Sequence, residues 1–261
     1  LGRGGSDTSA VAIAGAIAAD TCEIYTDVDG IYSADPRIAK GARRMYEITY
    51  NEMLEMARLG AGVMQPRSVE MGQLYGIPIH VRSTFTSEPG TIIREEYTVE
   101  EKSFIIRGVT HDEHVSKITV LGVSNTPGVA HRIFSALADA NIDVDMIVQS
   151  IRSAESNMTD MVFTVASIDA EEARQVVEGI SAEIKASTVA IDNDVAKISI
   201  VGAGMLGNPG IAARMFGALS RAEINIEIIS TSEISISCLI KGGSVKDAVN
   251  MIHDEFFHDE T

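Results

Sequence analysis

Two polar, glycine-bearing loops carry the residue types best suited to chemistry in this 261-residue chain. The first is LGRGGSD at positions 1–7. Gly2, Gly4 and Gly5 let the backbone approach a ligand closely, and the helix-like stretch behind them offers free N–H groups and a positive dipole end. Arg3 can grip a carboxylate through two hydrogen bonds. A tight strand-to-helix turn with no ligand explains the motif equally well, because it is neither a Walker A loop nor GxGxxG. The second loop, TDVDGIYSADPR at 26–37, gathers Thr26, Asp27, Asp29, Tyr32, Asp35 and Arg37. Clustered hydroxyls, carboxylates and an arginine suit a nucleotide and its magnesium, although DVDG and ADP alone are ordinary turn sequences. Two such loops in succession favour a site.

Four weaker candidates follow. NTPG (125–128) and GNPG (207–210) each begin a helix after a strand, so their free N–H groups could take the carboxylate of an amino acid; a plain capped turn is the alternative. HDEH (111–114) and HDEFFHDE (253–260) suggest a metal. The first aligns with IDND elsewhere in the chain and the second lacks an i, i+4 histidine pair, so both read as solvated surface. Cys22 and Cys238 have no metal or redox spacing and read as small buried groups, and the eleven methionines as core filling.

The elements that must position these loops fall into two parts. Residues 1–92 alternate helix-like and strand-like stretches, which predicts an α/β layered sheet. SDTSAVAIAGAIAAD reads as a buried helix, apolar nearly all round, with Ser6 or Asp7 as its N-cap. CEIYT and IPIHVRS read as strands, NEMLEMARLG as a helix, and another helix starts near Pro66. REEYTVEEKS (94–103) reads as a linker. Beyond it the chain repeats. VTHDEHVSKITVLG (109–122) aligns with VAIDNDVAKISIVG (189–202) at an offset of 80, and PGVAHRIFSALADANIDVDMIVQS (127–150) with PGIAARMFGALSRAEINIEIISTS (209–232) at an offset of 82. Eleven of those last 24 positions are identical, which marks two copies of one domain. Each copy reads as βαββαβ, with helices on one face of an antiparallel sheet.

Composition bounds the function. A net charge of −16 argues against a nucleic-acid partner, which needs a basic face. No run approaches the roughly 20 apolar residues of a membrane helix, so no membrane partner is expected. The sequence shows no signal peptide, which makes the cytoplasm the default compartment. It begins without methionine on a loop normally placed between strand and helix, and so reads as a piece of a longer chain.

Together LGRGGSD, TDVDGIYSADPR, GIPIHVRS and the doubled Pro-Gly domain resemble the aspartate kinase family over nearly the whole chain. The resemblance implies an α/β fold: the C-terminal portion of an amino-acid-kinase α/β sandwich (1–93), a linker (94–103), and two ferredoxin-like βαββαβ (ACT) domains at 104–191 and 192–261. It implies transfer of the γ-phosphoryl of MgATP, as co-substrate rather than tightly bound cofactor, to the side-chain carboxylate of L-aspartate. That is the first step toward lysine, threonine, methionine and diaminopimelate. By position, Arg3, Ser6 and Asp7 match the residues that hold aspartate, and Thr26, Asp27, Tyr32 and Arg37 the nucleotide loop.

For the tandem domains the resemblance implies effector pockets at the interface between repeats, with Asn125, Gly128, Val129, Ala130 and Gln149 on one side and Asn225 and Ile226 on the other. Lysine, threonine or both are the implied effectors, and pairing of ACT sheets implies a homodimer or higher assembly. The sequence departs from the family in three places. The Lys-Phe-Gly-Gly-Thr-Ser motif is absent, so the fragment alone is expected to be inactive; Gly62 stands where many relatives have lysine, and Asn125 where several have aspartate. The competing reading is a non-catalytic amino-acid-sensing subunit, which would have no use for GRGGSD or TDVDGIYSADPR.

Overall fold

The computed structural model describes residues 4–97, 105–151 and 157–258. Helix α1 (Gly5–Ala16) leads into strand β1 (Cys22–Thr26). Strand β2 (Glu47–Thr49), helices α2 (Tyr50–Arg58) and α3 (Pro66–Tyr75), and strands β3 (Ile79–Ser83) and β4 (Thr91–Arg94) complete the first layer. Its sheet runs β1-β3-β4-β2, parallel at both ends and antiparallel between β3 and β4. Along β3, buried Ile79, Val81 and Ser83 alternate with half-buried His80 and Arg82, the period of a strand with one packed face. Val11, Met53 and Val69 from the three helices meet Ile24, Ile48, Val81 and Ile93 from the strands in one core. The expected α/β layer is present.

Helix α1 departs from its sequence reading in two respects. Its N-cap is Gly4, in the left-handed region at φ 75°, so Ser6 and Asp7 lie in the first turn instead of capping it. Glycine suits that position on both counts: the backbone is strained for other residues, and a Cβ would fall 1.8 Å from the Gln65 side chain. The helix is also less buried than its composition implies. Val11 and Ala14 are buried, whereas Ile13 and Ile17 are 61% and 71% exposed, since no described residue covers the outer face.

The rest of the chain builds two antiparallel sheets. Strands β5 (Gly108–Asp112) and β6 (Val115–Ser124), helix α4 (Val129–Asp139), and strands β7 (Asp145–Ile151) and β8 (Met158–Ala166) come first. Helices α5 (Ala170–Gly179) and α6 (Ser181–Ile184) and strand β9 (Thr188–Asp192) follow. Then come β10 (Val195–Val201), α7 (Ile211–Arg221), β11 (Ile228–Thr231), β12 (Ser235–Lys241) and α8 (Val245–Phe257). The sheet orders are β7-β8-β6-β9 and β11-β12-β10-β5.

The first unit is βαββαβ in chain order, whereas the second runs β10-α7-β11-β12-α8, and sheet membership does not follow the expected division at 191/192. Strand β5 belongs to the second unit, with Val109 opposite Ile200 and His111 opposite Ile198 on β10. Strand β9 closes the first sheet against β6. The second unit takes its fourth strand from upstream of the first, which keeps the edge of β10 from standing open. Residues 98–103 of the expected linker lie outside the described residues.

Each unit has its own core. Ile118, Ile133, Leu137 and Phe163 anchor the first; Ile198, Met215, Leu219 and Ile252 anchor the second, joined by Ala34 and Ala39 from the first layer. A smaller cluster of Val115, Met146, Val195, Ile228 and Leu239 fuses the two units. Strand β10 is buried along its whole length because Ala196, Ile198 and Ile200 enter the second unit's core, Val195 the joining cluster and Val201 the core of the first layer.

One carboxylate joins the first layer to the second unit. Thr49 and Glu52 form a capping box at the start of α2, with the Thr49 hydroxyl donating to Glu52 Oε2 at 2.8 Å. Glu52 is 1% exposed, and its other oxygen accepts the Ala203 N–H at 2.9 Å, from the turn after β10. The Tyr97 hydroxyl donates to Oε2 as Thr49 does, and Arg107 Nε stands 3.8 Å from Oε1 with its guanidinium stacked over the Tyr97 ring. Burial, and then the Glu52 charge, push the Tyr97 phenol well above its usual value, so it remains a donor.

Replacing Glu52 by alanine leaves a buried guanidinium without the carboxylate beside it, and a phenol and an N–H without their acceptor. The expected cost is about 3–5 kcal/mol, read as a lower urea midpoint than that of the native chain. A midpoint unchanged by Glu52→Ala would show that water reaches these groups and that the carboxylate does not join the two parts.

Candidate functional site

The two N-terminal loops are shaped by different forces. At the first, Gly4 turns the chain into α1, whose opening N–H groups have no acceptor within the helix beyond the one-turn bonds. Ser6 is exposed and donates to Asp7 Oδ1 at 3.3 Å, which keeps both side chains at the surface of the first turn. Arg3 lies outside the described residues.

The second loop is partly locked. Thr26 ends β1 and donates to Asp27 Oδ1 at 3.1 Å, and Asp27 itself is exposed. The Tyr32 hydroxyl donates to Asp29 at 3.0 Å, Arg44 Nη1 meets Asp29 at 3.3 Å, and Arg44 Nη2 reaches Glu88 at 2.9 Å. Burial, reinforced by Asp29, raises the Tyr32 phenol. Arg37 is tied to Asp35 at 2.7 Å, yet its side chain is 88% exposed, so one edge of the guanidinium faces solvent. That bond, outweighing burial, holds the Asp35 carboxyl below its usual range. Among the described residues no hydrogen bond connects Ser6 or Asp7 with Thr26, Asp27, Tyr32 or Arg37.

Sequence reasoning missed what lies behind this loop. Residues 31–44 dock on α8. The Ser33 hydroxyl and His253 Nε2 are 2.9 Å apart, Arg43 donates to the Phe257 carbonyl at 2.9 Å, and Asn250 donates to the Ile38 carbonyl at 3.3 Å. His253 is 3% exposed and its ring stacks on Phe257. The expectation that HDEFFHDE is a solvated surface is therefore corrected at its first residue. The signal was available: His253 falls at helical spacing with Val249, Ile252 and Phe257, the buried face of α8. Among the described residues no group of three or more histidines, cysteines or acids is placed to hold a metal.

In the first repeated unit the structure forms a cavity of about 450 Å³ at the Pro-Gly turn. Asn125, Gly128, Val129, Ala130 and Gln149 all line it, over a floor that includes Thr159 and Met161. Gly128 caps α4 in the left-handed region at φ 97°, with open space where a Cβ would be. The Ala130 N–H in the first turn of α4 has no acceptor within the helix, which suits a carboxylate. Thr159 is fixed by donating to the Ser150 carbonyl at 2.7 Å.

Asn225 and Ile226 do not line this cavity. They precede Glu227, which pairs with Lys117 near the start of β6, whereas the cavity lies past Ser124 at its end. Seven residues of strand put these points roughly 23 Å apart. Within one chain these two residues stand outside the lining of this cavity.

Comparison with known proteins matches the two halves separately. An amino acid kinase family profile matches residues 1–83, and an ACT domain profile matches 118–179 and 198–256. Aspartokinase of Mycolicibacterium smegmatis is 46% identical over 259 residues, 98% of this chain and 61% of the relative. The chain therefore spans about three fifths of the length of such relatives. Among solved structures, E. coli aspartokinase III in complex with aspartate and ADP superposes with a TM-score of 0.81 at 27% identity, covering 98% of this chain and 57% of that one. The ligand-free regulatory subunit of aspartate kinase from Thermus thermophilus matches 58% of this chain and 99% of its own length, at 36% identity and a TM-score of 0.55.

The docked loop makes stability depend on pH. Burial, aided by Arg43 against the opposite pull of Asp254, holds His253 below its usual value of 6.5. The unfolded chain then binds more protons than the folded one below that value, so the contribution is complete above about pH 6.5 and is lost as pH falls toward the depressed value. The thermal midpoint of the native chain is expected to fall as the buffer is taken below pH 6.5, and less steeply in His253→Gln. Parallel curves for the two would exclude His253 as the titrating group.

Proposed function

Because the chain belongs to the aspartate kinase family, we propose that its parent protein phosphorylates the side-chain carboxylate of L-aspartate with MgATP under amino-acid control. The observation that carries this reading is the joining of two anion-suited loops, at 4–7 and 26–37, to a tandem unit with a cavity built at a Pro-Gly helix start. Support comes from the aspartate and ADP in the superposable E. coli enzyme.

Phosphoryl transfer asks little covalent chemistry of a protein and much positioning of anions. Asp7, half-buried in the first turn of α1, holds the substrate ammonium, with Ser6 donating to a carboxylate; Arg3 supplies the second grip on that carboxylate. At the other loop Arg37 offers its open edge to the nucleotide phosphates, Thr26 and Asp27 meet the nucleotide at the end of β1, and Tyr32 is held ready by Asp29. Substrate and nucleotide then bind to separate elements.

The cavity at Asn125, Gly128, Val129, Ala130 and Gln149 takes the carboxylate of a free amino acid, lysine or threonine, at the start of α4. A complex of E. coli aspartokinase III with lysine and aspartate supports an amino-acid effector. Since Asn225 and Ile226 lie far from the cavity in the same chain, they complete it from a second copy, in a homodimer of cytoplasmic enzyme.

Two measurements on the full-length enzyme test this. Arg37→Ala is expected to raise the KM for ATP roughly tenfold, the loss of one charge-assisted contact, while the KM for aspartate holds; absence of aspartate-dependent ADP formation in the native enzyme would remove the assignment. Gln149→Ala and Asn225→Ala should each abolish inhibition, and an equal mixture refolded together should recover part of it. No recovery would place the two residues in one intrachain site.

A further inference from the structure

The two repeats are tied by ion pairs that cross their boundary in opposite directions. Lys117 on β6 reaches Glu227, just ahead of β11. Lys197 on β10 reaches Asp145, the first residue of β7, at 2.6 Å. The lysines are equivalent at the 80-residue offset of the repeat, and the acids at the 82-residue offset. Each repeat therefore grips the other's second strand with the same two positions, as an internal two-fold relation demands.

Both acids sit on segments that carry candidate effector residues. Asp145 opens β7, which bears Gln149 four residues later, and Glu227 directly follows Asn225 and Ile226. We infer that Lys197–Asp145 and Lys117–Glu227 are a pair of positioning contacts that set the register of the two repeats and hence the placing of both effector-contacting segments. The functional half of this inference rests on the cavity being the effector site.

The two crossings are not equivalent. Lys117 also bonds Asp192 at 3.1 Å, and Lys241 bridges Asp192 at 2.7 Å and Glu227 at 3.4 Å. The Lys197 side chain is 6% exposed, and among the described residues Asp145 is its only paired carboxylate. Asp112 opposes Lys197 across β5 as Asp192 opposes Lys117 across β9, but it accepts the His114 N–H instead. Removing Asp145 strands a buried ammonium, whereas removing Glu227 leaves Lys117 with Asp192.

The test uses the full-length enzyme titrated with L-lysine and L-threonine, separately and together. Asp145→Asn is expected to raise the half-inhibiting concentration roughly tenfold, within the usual span of coupling between sites, with kcat and both KM values unchanged. Glu227→Gln should raise it by a smaller factor, and Asp145→Glu should restore native sensitivity. An Asp145→Asn enzyme that melts lower yet is inhibited like the native one would show the contact to be structural only and overturn the inference; so would an inverted order of the two variants. Should the native enzyme respond to neither amino acid, the cavity reading fails, and the crossed pair is judged by thermal unfolding. There, additive losses in Asp145→Asn and Lys197→Met would overturn it, and a non-additive double variant would sustain it.

Discussion

The buried carboxylate of Glu52 is the constraint on which the arrangement of parts depends. An ionised group in an apolar interior is tolerated only when its oxygens are fully met. Here the partners come from four separate stretches: Thr49 at the helix start, Tyr97 after β4, Arg107 before β5, and Ala203 after β10. None of these alone would hold the charge. The first layer, the connection and the second repeated unit must therefore be in place together, which gives them one geometry out of the many that a connection of this length would allow.

A second contact surface reinforces the first from the opposite direction. The loop bearing Tyr32 and Arg37 runs on into a segment packed against α8, where Ala34 and Ala39 enter the core of the second unit. One side of that loop is thus anchored in the first layer by Arg44 and Asp29, and the other in the C-terminal helix. Any displacement of α8 is felt by the loop through close-packed atoms rather than through solvent. Along with Glu52, this makes the second unit the structural base of the N-terminal loops.

Much of this was legible in the sequence, for physical reasons that differ from place to place. The doubled unit was visible because Pro-Gly forces the same turn twice and the apolar periods around it are preserved. Asn125, Gly128, Val129 and Ala130 were named through the family resemblance, and they lie together because residues at one helix start share a turn. Partner choice was hidden. Strand β5, GVTHD, carries no alternation that would fix a partner, and no local pattern says that β10 rather than β6 is its neighbour. The Thr49-x-x-Glu52 spacing announces a capped helix, but not that the capping acid also serves a turn 151 residues away. Ser6 and Asp7 suited an N-cap by type, yet Gly4 won the position because the backbone there must be left-handed. His253 was misplaced for a simpler reason: its acidic neighbours outweighed its helical phase. Asn225 and Ile226 lie just ahead of β11, and nothing in the local pattern says that they stand outside the lining of the cavity at Asn125.

The exchange of β5 has a consequence for how the chain is made. Strand β5 leaves the ribosome 85 residues before Lys197 on β10 arrives to pair with Asp112. In that interval the entire first unit can be synthesised and closed by β9, which emerges only shortly before β10. Strand β5 meanwhile waits as an exposed edge, with His111 and Asp112 at its end and Val109 on its apolar face. Long-range pairing of this kind is slow and leaves strand edges open to other chains. Biosynthesis thus runs from the inside outward: the enclosed repeat matures first, and the enclosing one, which holds the N-terminal layer in place, is completed last.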